Sequence, residues 1–480
     1  MLSKINSLDK IAHRKVELLK LLANQNKPCS TTTLSQQLSV SSKTLLSYLK
    51  ELQHYLEAFK QDIQLVKNND GYYLSKKNSF SIEAVYHEII KDTLFYYFFL
   101  YTFHQQNETI DSYAKVNFFS YSYIYRQIRL MNQLLKPLCL SFDLSPLKMN
   151  GSELRIRYLF FYYYFYTCNG VEWPFQVVTS AELDDDIQAI EALTSIKLSF
   201  IQKEQLKYWF ALCQTRYRLD EFIDPKVTFY QTIAQNSPFY ISLLPFIKNF
   251  SKNNGLSEQK NEEYFIFFVI HQILNLPIES FLHLTEDPLI KKTAHLLEDT
   301  VKLFPKAKLS TFFENELFYL VYLSSHLGDS YLELLENTYQ QSPISNSYQT
   351  ELATLLDENK IDSDKMPFFK KNITHLIHRH LIANYYQPMI RLLVVTKLDE
   401  SKKQALYDKI YTLPFYLTIT DQETDCIDLI LSDYYLQPTR EPIFYWHMFP
   451  LKVEWDQLEA RIRTIEQLKF STQAPHVISV

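Results

Sequence analysis

The side chains able to carry nucleophilic or metal chemistry are few and scattered. Cys29, Cys139, Cys168, Cys213 and Cys426 are odd in number, and neither a CxxC pair nor a histidine cluster stands at metal-ligand spacing. That argues against a disulfide framework and a zinc site, and it fits a reducing cytoplasm. With only five glycines in 480 residues, neither a phosphate-cradling P-loop nor a dinucleotide GxGxxG is written anywhere. The acids and histidines form no nameable set of nucleophile, base and oxyanion donor. The composition therefore points to a non-enzyme with no cofactor and no metal. What remains is the chemistry of charge and hydroxyls, and it is concentrated at one end. Residues 1–166 hold 20 Lys+Arg against 13 Asp+Glu, whereas the remainder holds 29 against 41. A basic end that attracts phosphate is thus joined to an acidic bulk.

Within the basic end a pattern is written twice. Residues 41–56, SSKTLLSYLKELQHYL, and residues 120–135, SYSYIYRQIRLMNQLL, lie 79 positions apart. In the first, Ser41 is placed to cap a helix whose Leu45, Leu49, Leu52 and Leu56 share one face. In the second, Ser120 takes the cap, and Ile124, Ile128, Met131 and Leu135 take the leucine positions. A short amphipathic segment, Thr32–Val40, precedes the first copy and predicts a helix-turn-helix. Thr109–Phe119 repeats it, with Asn117 where Leu38 would be buried and Val116 expected to turn inward instead. After the first copy, Ile63–Val66 and Gly71–Leu74 flank Asn68-Asn69-Asp70-Gly71 as the hairpin wing of a winged helix. After the second, a strand over Leu138–Phe142, a turn at Asn150-Gly151 and a strand from Ser152 are expected.

The faces opposite the apolar stripes are then free for a ligand. In the first helix they carry Ser42, Lys43, Thr44, Ser47, Tyr48 and Lys50; in the second Tyr121, Ser122, Tyr125, Arg126 and Arg129. Arginine grips phosphate or reads guanine, while hydroxyls and tyrosine rings suit backbone or thymine methyls. The expected partner is double-stranded DNA.

A hydrophobic fraction of 46% with 21% charge is ordinary for a globular chain. No signal-peptide pattern opens it, and its most apolar runs, 94–101 and 158–166, fall well short of the ~20 residues of a membrane span. Both read as core helices, the first within a single helix from Ile82 to His104. Five domains are expected: winged units at 1–78 and 79–166, helical bundles at 167–284 and 285–386, and an α/β domain at 387–480. In the last, Met389–Val395, Phe415–Ile419, Cys426–Leu431 and Ile443–Trp446 read as strands, with helices at Glu400–Tyr411 and Val453–Leu468.

In this order of domains the chain resembles the Mga/AtxA family of transcriptional regulators of Gram-positive bacteria, over essentially its full length. The resemblance implies that residues 79–166 form the family's Mga-type domain and that the helical middle is a tandem of PTS regulation domains. It also implies that the C-terminal part is IIB-like and that histidines take phosphate from phosphocarrier proteins of the sugar phosphotransferase system. On that basis His271, in the helix Glu262–His271, is the first phosphorylation candidate. His326 and His375 follow in the second bundle, with His378 and His380 close by. The other site expected in the first bundle falls in Leu206–Ala211, which offers Lys207 or Tyr208 and no histidine. Where a IIB domain carries cysteine after its first strand, this chain has Thr396-Lys397-Leu398-Asp399-Glu400, so phosphate transfer there is not expected. The reading is a homodimeric, DNA-binding virulence-type regulator joined through its C-terminal domain, with no membrane association. The rival is a phosphorelay scaffold that binds protein and no DNA.

Overall fold

A computed structural model describes residues 9–25, 27–104, 109–116, 118–282, 286–334, 349–359, 361, 365–381, 388–421, 427–436, 440–447 and 450–473. Asn117 and Cys426 lie outside the described residues. The chain divides into two compact units, residues 1–290 with 322–336, and residues 291–321 with 337–480. It is mainly α, with two N-terminal helix-turn-helix segments and a small C-terminal mixed α/β region.

The first head runs α1 (Lys10–Ala23), α2 (Thr31–Leu38), α3 (Ser42–Glu57), β1 (Ile63–Asn68) and β2 (Gly71–Lys76). Each helix opens on a side chain that accepts from otherwise orphaned amides: Asp9 from Ile11 and Ala12, Ser30 from Thr33, and Ser41 from Thr44. Leu34, Leu38, Leu45, Leu49, Leu52 and Leu56 close the core as their spacing predicts. The wing is anchored by reciprocal backbone hydrogen bonds of 2.8 Å between Cys29 and Tyr72. Gly71 makes this possible, because a Cβ there would sit 2.0 Å from the Cys29 carbonyl oxygen.

The second head runs α4 (Glu83–Lys91), α5 (Leu94–Phe103), α6 (Ile110–Val116), α7 (Tyr121–Leu135), β3 (Ser141–Leu144), β4 (Leu147–Asn150) and α8 (Glu153–Cys168). The repeat is exact in its turn geometry. Ser39 and Phe118, again 79 apart, are both left-handed, with φ of 54° and 58°. The amides that follow close on equivalent carbonyls, Val40 on Ser35 and Phe119 on Ala114. Ser120 caps α7 by accepting from Tyr123, and Ile124, Ile128, Met131 and Leu135 are buried.

Three expectations fail in this head. The single helix from Ile82 to His104 is two, because the buried Thr93 hydroxyl donates to the Ile90 carbonyl and accepts from the Tyr96 amide, ending one helix and capping the next. Val116 does not turn inward; it is 67% exposed, and Ile110, Tyr113 and Ala114 fill the core instead. The second wing turns at Ser145-Pro146, and Leu138 belongs to a 3-10 turn. Ser152 is therefore no strand residue but the N-cap of α8.

Helix α8 is apolar nearly all round and buried accordingly. On one side its Phe160, Tyr163 and Tyr164 meet Phe99 and Phe103 of α5, with Phe99 and Tyr163 stacked at 4.3 Å. On another, Tyr158 and Phe161 pack on Trp209. The bundle beyond contains α9 (Asp184–Thr194), α10 (Phe200–Tyr217), α11 (Phe229–Asn236), α12 (Pro238–Asn253) and α13 (Lys260–Leu274).

In the second unit, α14 (Pro367–Ile377) precedes a four-stranded parallel sheet of β5 (Ile390–Val395), β6 (Leu417–Thr420), β7 (Leu429–Ser432) and β8 (Ile443–Tyr445), ordered β6-β5-β7-β8. Helices α15 (Glu400–Ile410) and α16 (Lys452–Gln473) help cover it, and Leu392, Val394, Ile410, Leu429, Leu431, Leu458 and Ile462 form the core. The strand expected from Cys426 begins at Leu429.

Candidate nucleic-acid interface

Helices α3 and α7 are held from behind by their apolar stripes, so their opposite faces point away from the head cores. On α3, Ser42, Lys43, Ser47 and Lys50 are exposed and Thr44 and Tyr48 half-buried. Thr44 Oγ1 is 2.8 Å from Ser41 Oγ and so is partly engaged in the cap. Ser47 donates to Glu51 at 3.2 Å, and Glu51 pairs with Lys15 at 2.6 Å. The hydrogen bond from Lys15 holds the Glu51 carboxyl below its ordinary range, so this acid stays charged but locally neutralised.

On α7, Tyr121, Ser122, Tyr125, Arg126 and Arg129 are all exposed. The helix contains no Asp or Glu. Arg126 lies 5.8 Å from the Tyr123 ring and forms no ion pair among the described residues. The sequence reading missed that Phe118, Phe119 and Tyr123 are exposed as well. The signal was present, since Phe118 stands at the repeat equivalent of Ser39.

The histidines sit in different surroundings. His271, on α13, is fully buried beside Phe267 and Phe281; burial pushes its imidazole down to about 3, against a hydrogen bond to the Pro277 carbonyl that acts upward. His326 is half-buried between Phe229 and Tyr322, ring centroids 4.9 and 5.0 Å away, and burial lowers it too. His375 on α14 is half-buried, as are His378 and His380 beyond it. Lys207 pairs with Asp184 at 2.6 Å, and Tyr208 is buried.

Beneath the second head lies an ionic network that spacing could not reveal. Arg157 of α8 donates to Glu153 at 2.8 Å and to both oxygens of Glu262 at 2.6 and 3.0 Å. Arg216 of α10 reaches the Glu153 oxygens at 2.9 and 2.7 Å. Tyr217 and the Ile223 amide also donate to Glu262. Burial is the largest single influence on Arg157 and disfavours its charge, but Glu262, Cys213, Glu153 and Tyr217 together outweigh it and raise the guanidinium well above its ordinary value.

Two capped helices with open, hydroxyl- and cation-bearing faces define a helix-turn-helix protein with two candidate nucleic-acid heads. Comparison with known proteins agrees. Residues 9–71 match the M protein trans-acting positive regulator (MGA) helix-turn-helix domain, and residues 78–164 match the Mga helix-turn-helix domain. A protein of Streptococcus pneumoniae serotype 4 named as a trans-acting regulator is 21% identical over 474 residues, covering 90% of this chain and 93% of its own. The capsule synthesis positive regulator AcpB of Bacillus anthracis is 19% identical, covering 84% and 75%. The anthrax toxin expression trans-acting positive regulator of the same species is 24% identical over 54% of each chain. The chain thus has homologues in the Mga/AtxA family and carries that family's helix-turn-helix domains. These matches support a DNA-binding, Mga-like trans-acting regulator rather than an enzyme. Among the described residues, no group of three or more His, Cys, Asp or Glu could hold a metal ion, and no helix is long and apolar enough to cross a membrane.

Proposed function

We propose that the chain regulates transcription, in the manner its relatives' names describe, as a homodimer whose four heads grip promoter DNA. Ser42, Lys43, Thr44, Ser47, Tyr48 and Lys50 of α3 and Tyr121, Ser122, Tyr125, Arg126 and Arg129 of α7 face the duplex. The observation that carries this reading is the duplicated geometry: two Ser-capped helices, 79 residues apart, with their outer faces exposed. Four heads favour extended sites chosen by phosphate contact and DNA shape over one short sequence. The domains at 167–284 and 285–386 act as PTS regulation domains, and the IIB-like domain at 387–480 joins the subunits. Phosphate on a half-buried histidine such as His326 or His375 adds nearly two negative charges among packed helices and shifts the balance between active and inactive arrangements. His271 is the least reachable of the three, since it must leave its aromatic surroundings first.

A gel-shift titration of Arg126→Ala plus Arg129→Ala against salt tests the DNA reading. Weaker binding with a shallower salt slope is expected, and binding at wild-type strength with an unchanged slope refutes it. Incubation with a phosphocarrier protein and its phosphodonor, followed by mass spectrometry under conditions that keep phosphohistidine intact, tests the regulatory reading. Absence of label on His271, His326 and His375 overturns it.

A further inference from the structure

The two heads share a backbone plan, yet their outer faces differ in kind. The first offers hydroxyls, lysines and one half-buried ring, Tyr48; the second offers a ridge of exposed aromatic rings. Phe118 is 97% exposed, in a left-handed conformation that a bulky side chain adopts only at a cost. The equivalent position in the first head is Ser39, so the turn itself does not require a ring. The Phe118 backbone closes the turn on the Lys115 carbonyl, but its side chain adds almost no buried surface to the fold.

One turn further on, Tyr121 and Tyr125 are 47% and 45% exposed and stack with centroids 6.1 Å apart at 16°. On the other flank of the exposed face of α7, Tyr123 stacks on Phe119 at 5.6 Å, with Arg126 against its ring. The surface is thus apolar and cationic at once and, along α7, free of acids. Its partner must be a polyanion that presents apolar groups between rows of negative charge. In the major groove of DNA the thymine 5-methyl is such a group, and helix-turn-helix proteins bring the start of the recognition helix to base edges there.

Resting on the DNA reading above, we propose that the second head recognises thymine through its 5-methyl group, packed against Phe118, Tyr121 and Tyr125, while the first head does not. The division explains why a chain keeps two heads of one design. One grips through lysines and hydroxyls, and the other adds a preference for thymine-bearing grooves.

The test is binding of the full chain to alternating poly(dA-dT) and to alternating poly(dA-dU), duplexes that differ only in the methyl group. Binding to the uracil duplex should be weaker by about fourfold for each methyl contacted, the factor carried by burial of one such group. The variant Phe118→Ser, Tyr121→Ser, Tyr125→Ser should bind both duplexes alike. Lys43→Ala plus Lys50→Ala should bind both more weakly and keep the wild-type ratio. Equal wild-type affinity for the two duplexes overturns the proposal and leaves the DNA reading intact, whereas failure to bind either at low salt overturns the DNA reading itself. If the serine variant instead changes oligomeric state while keeping the ratio, the ridge belongs to a second copy of the chain and the proposal fails.

Discussion

Replacing Glu262 by leucine removes one acid from a buried network of two acids and two arginines, at whose edge the more exposed Glu221 carboxylate stands 3.9 Å from Arg216. Glu153 and Glu262 balance Arg157 and Arg216, and all four side chains are buried. Without Glu262, Arg157 keeps the Glu153 oxygen and the Glu221 carbonyl but loses both short contacts to its main counterion, and the Tyr217 hydroxyl and Ile223 amide lose their acceptor. A buried charge stripped of its partner costs about 3–5 kcal/mol. For a cooperative unit of roughly 300 residues, an unfolding entropy of about 2.1 cal/mol/K per residue converts this to a melting point lower by about 5–8 °C. The double variant Arg157→Met plus Glu262→Leu removes one charge of each sign and leaves the Glu153–Arg216 pair neutral, so it should be more stable than Glu262→Leu alone. Because the network is out of reach of counterions, 1 M salt should leave the difference unchanged. Calorimetry with urea titration reads all of this. A Glu262→Leu cost under about 1 kcal/mol, or a double variant weaker than the single, would refute the argument that uncompensated charge dominates there.

Two further outcomes follow from buried groups and close contacts. His271 is depressed to about 3 in the folded chain, while its unfolded value is ~6.5; the stability it contributes is therefore complete above pH 6.5 and is lost as pH falls toward the folded value. The stability difference between wild type and His271→Gln should shrink by about 2 kcal/mol from pH 7 to pH 5 in urea titrations, and parallel pH profiles would contradict the burial argument. Gly71→Ala drives a Cβ to 2.0 Å from the Cys29 carbonyl, whereas at Gly170 nothing lies within 4 Å. Gly71→Ala should therefore destabilise by at least about 2 kcal/mol more than Gly170→Ala, and equal denaturation midpoints would refute the close approach.

The parts of the fold that were legible in the sequence are those set by local rules. Ser41 and Ser120 announce their helices because capping acts within three residues, and the leucines of α3 reveal their face because the helical period is fixed. The parallel strands show as continuous apolar runs for the same reason. What stayed hidden depends on competition or distance. Thr93 breaks a helix through a hydroxyl that spacing alone would have let pass. Glu153 and Arg157, four apart, look like an ordinary surface pair until Glu262, more than a hundred residues away, encloses them. At the interface, the polar faces of α3 and α7 were legible as the complement of the apolar stripes. Phe118 was legible only through its repeat equivalence to Ser39, because an aromatic residue beside a helix otherwise reads as core.

The boundary drawn at residue 166 has a physical consequence, because it falls inside α8. That helix completes the aromatic core of the second head with Phe160, Tyr163 and Tyr164, and in the same turns it sends Arg157 and Phe161 into the bundle beyond. Neither side can shift against the other without uncovering rings and unpaired charge, so the second head and the first bundle move as one body. A change that repacks α10 or α13 must therefore alter the footing of α8, and through it the angle at which α7 is presented. Among the described residues the first head shares no such helix with the bundle; α1 packs on α4, with Lys20 against the Tyr86 ring. Under the proposed function, a signal received in the helical middle reaches the aromatic head through α8, and the lysine-bearing head through the packing of α1 on α4.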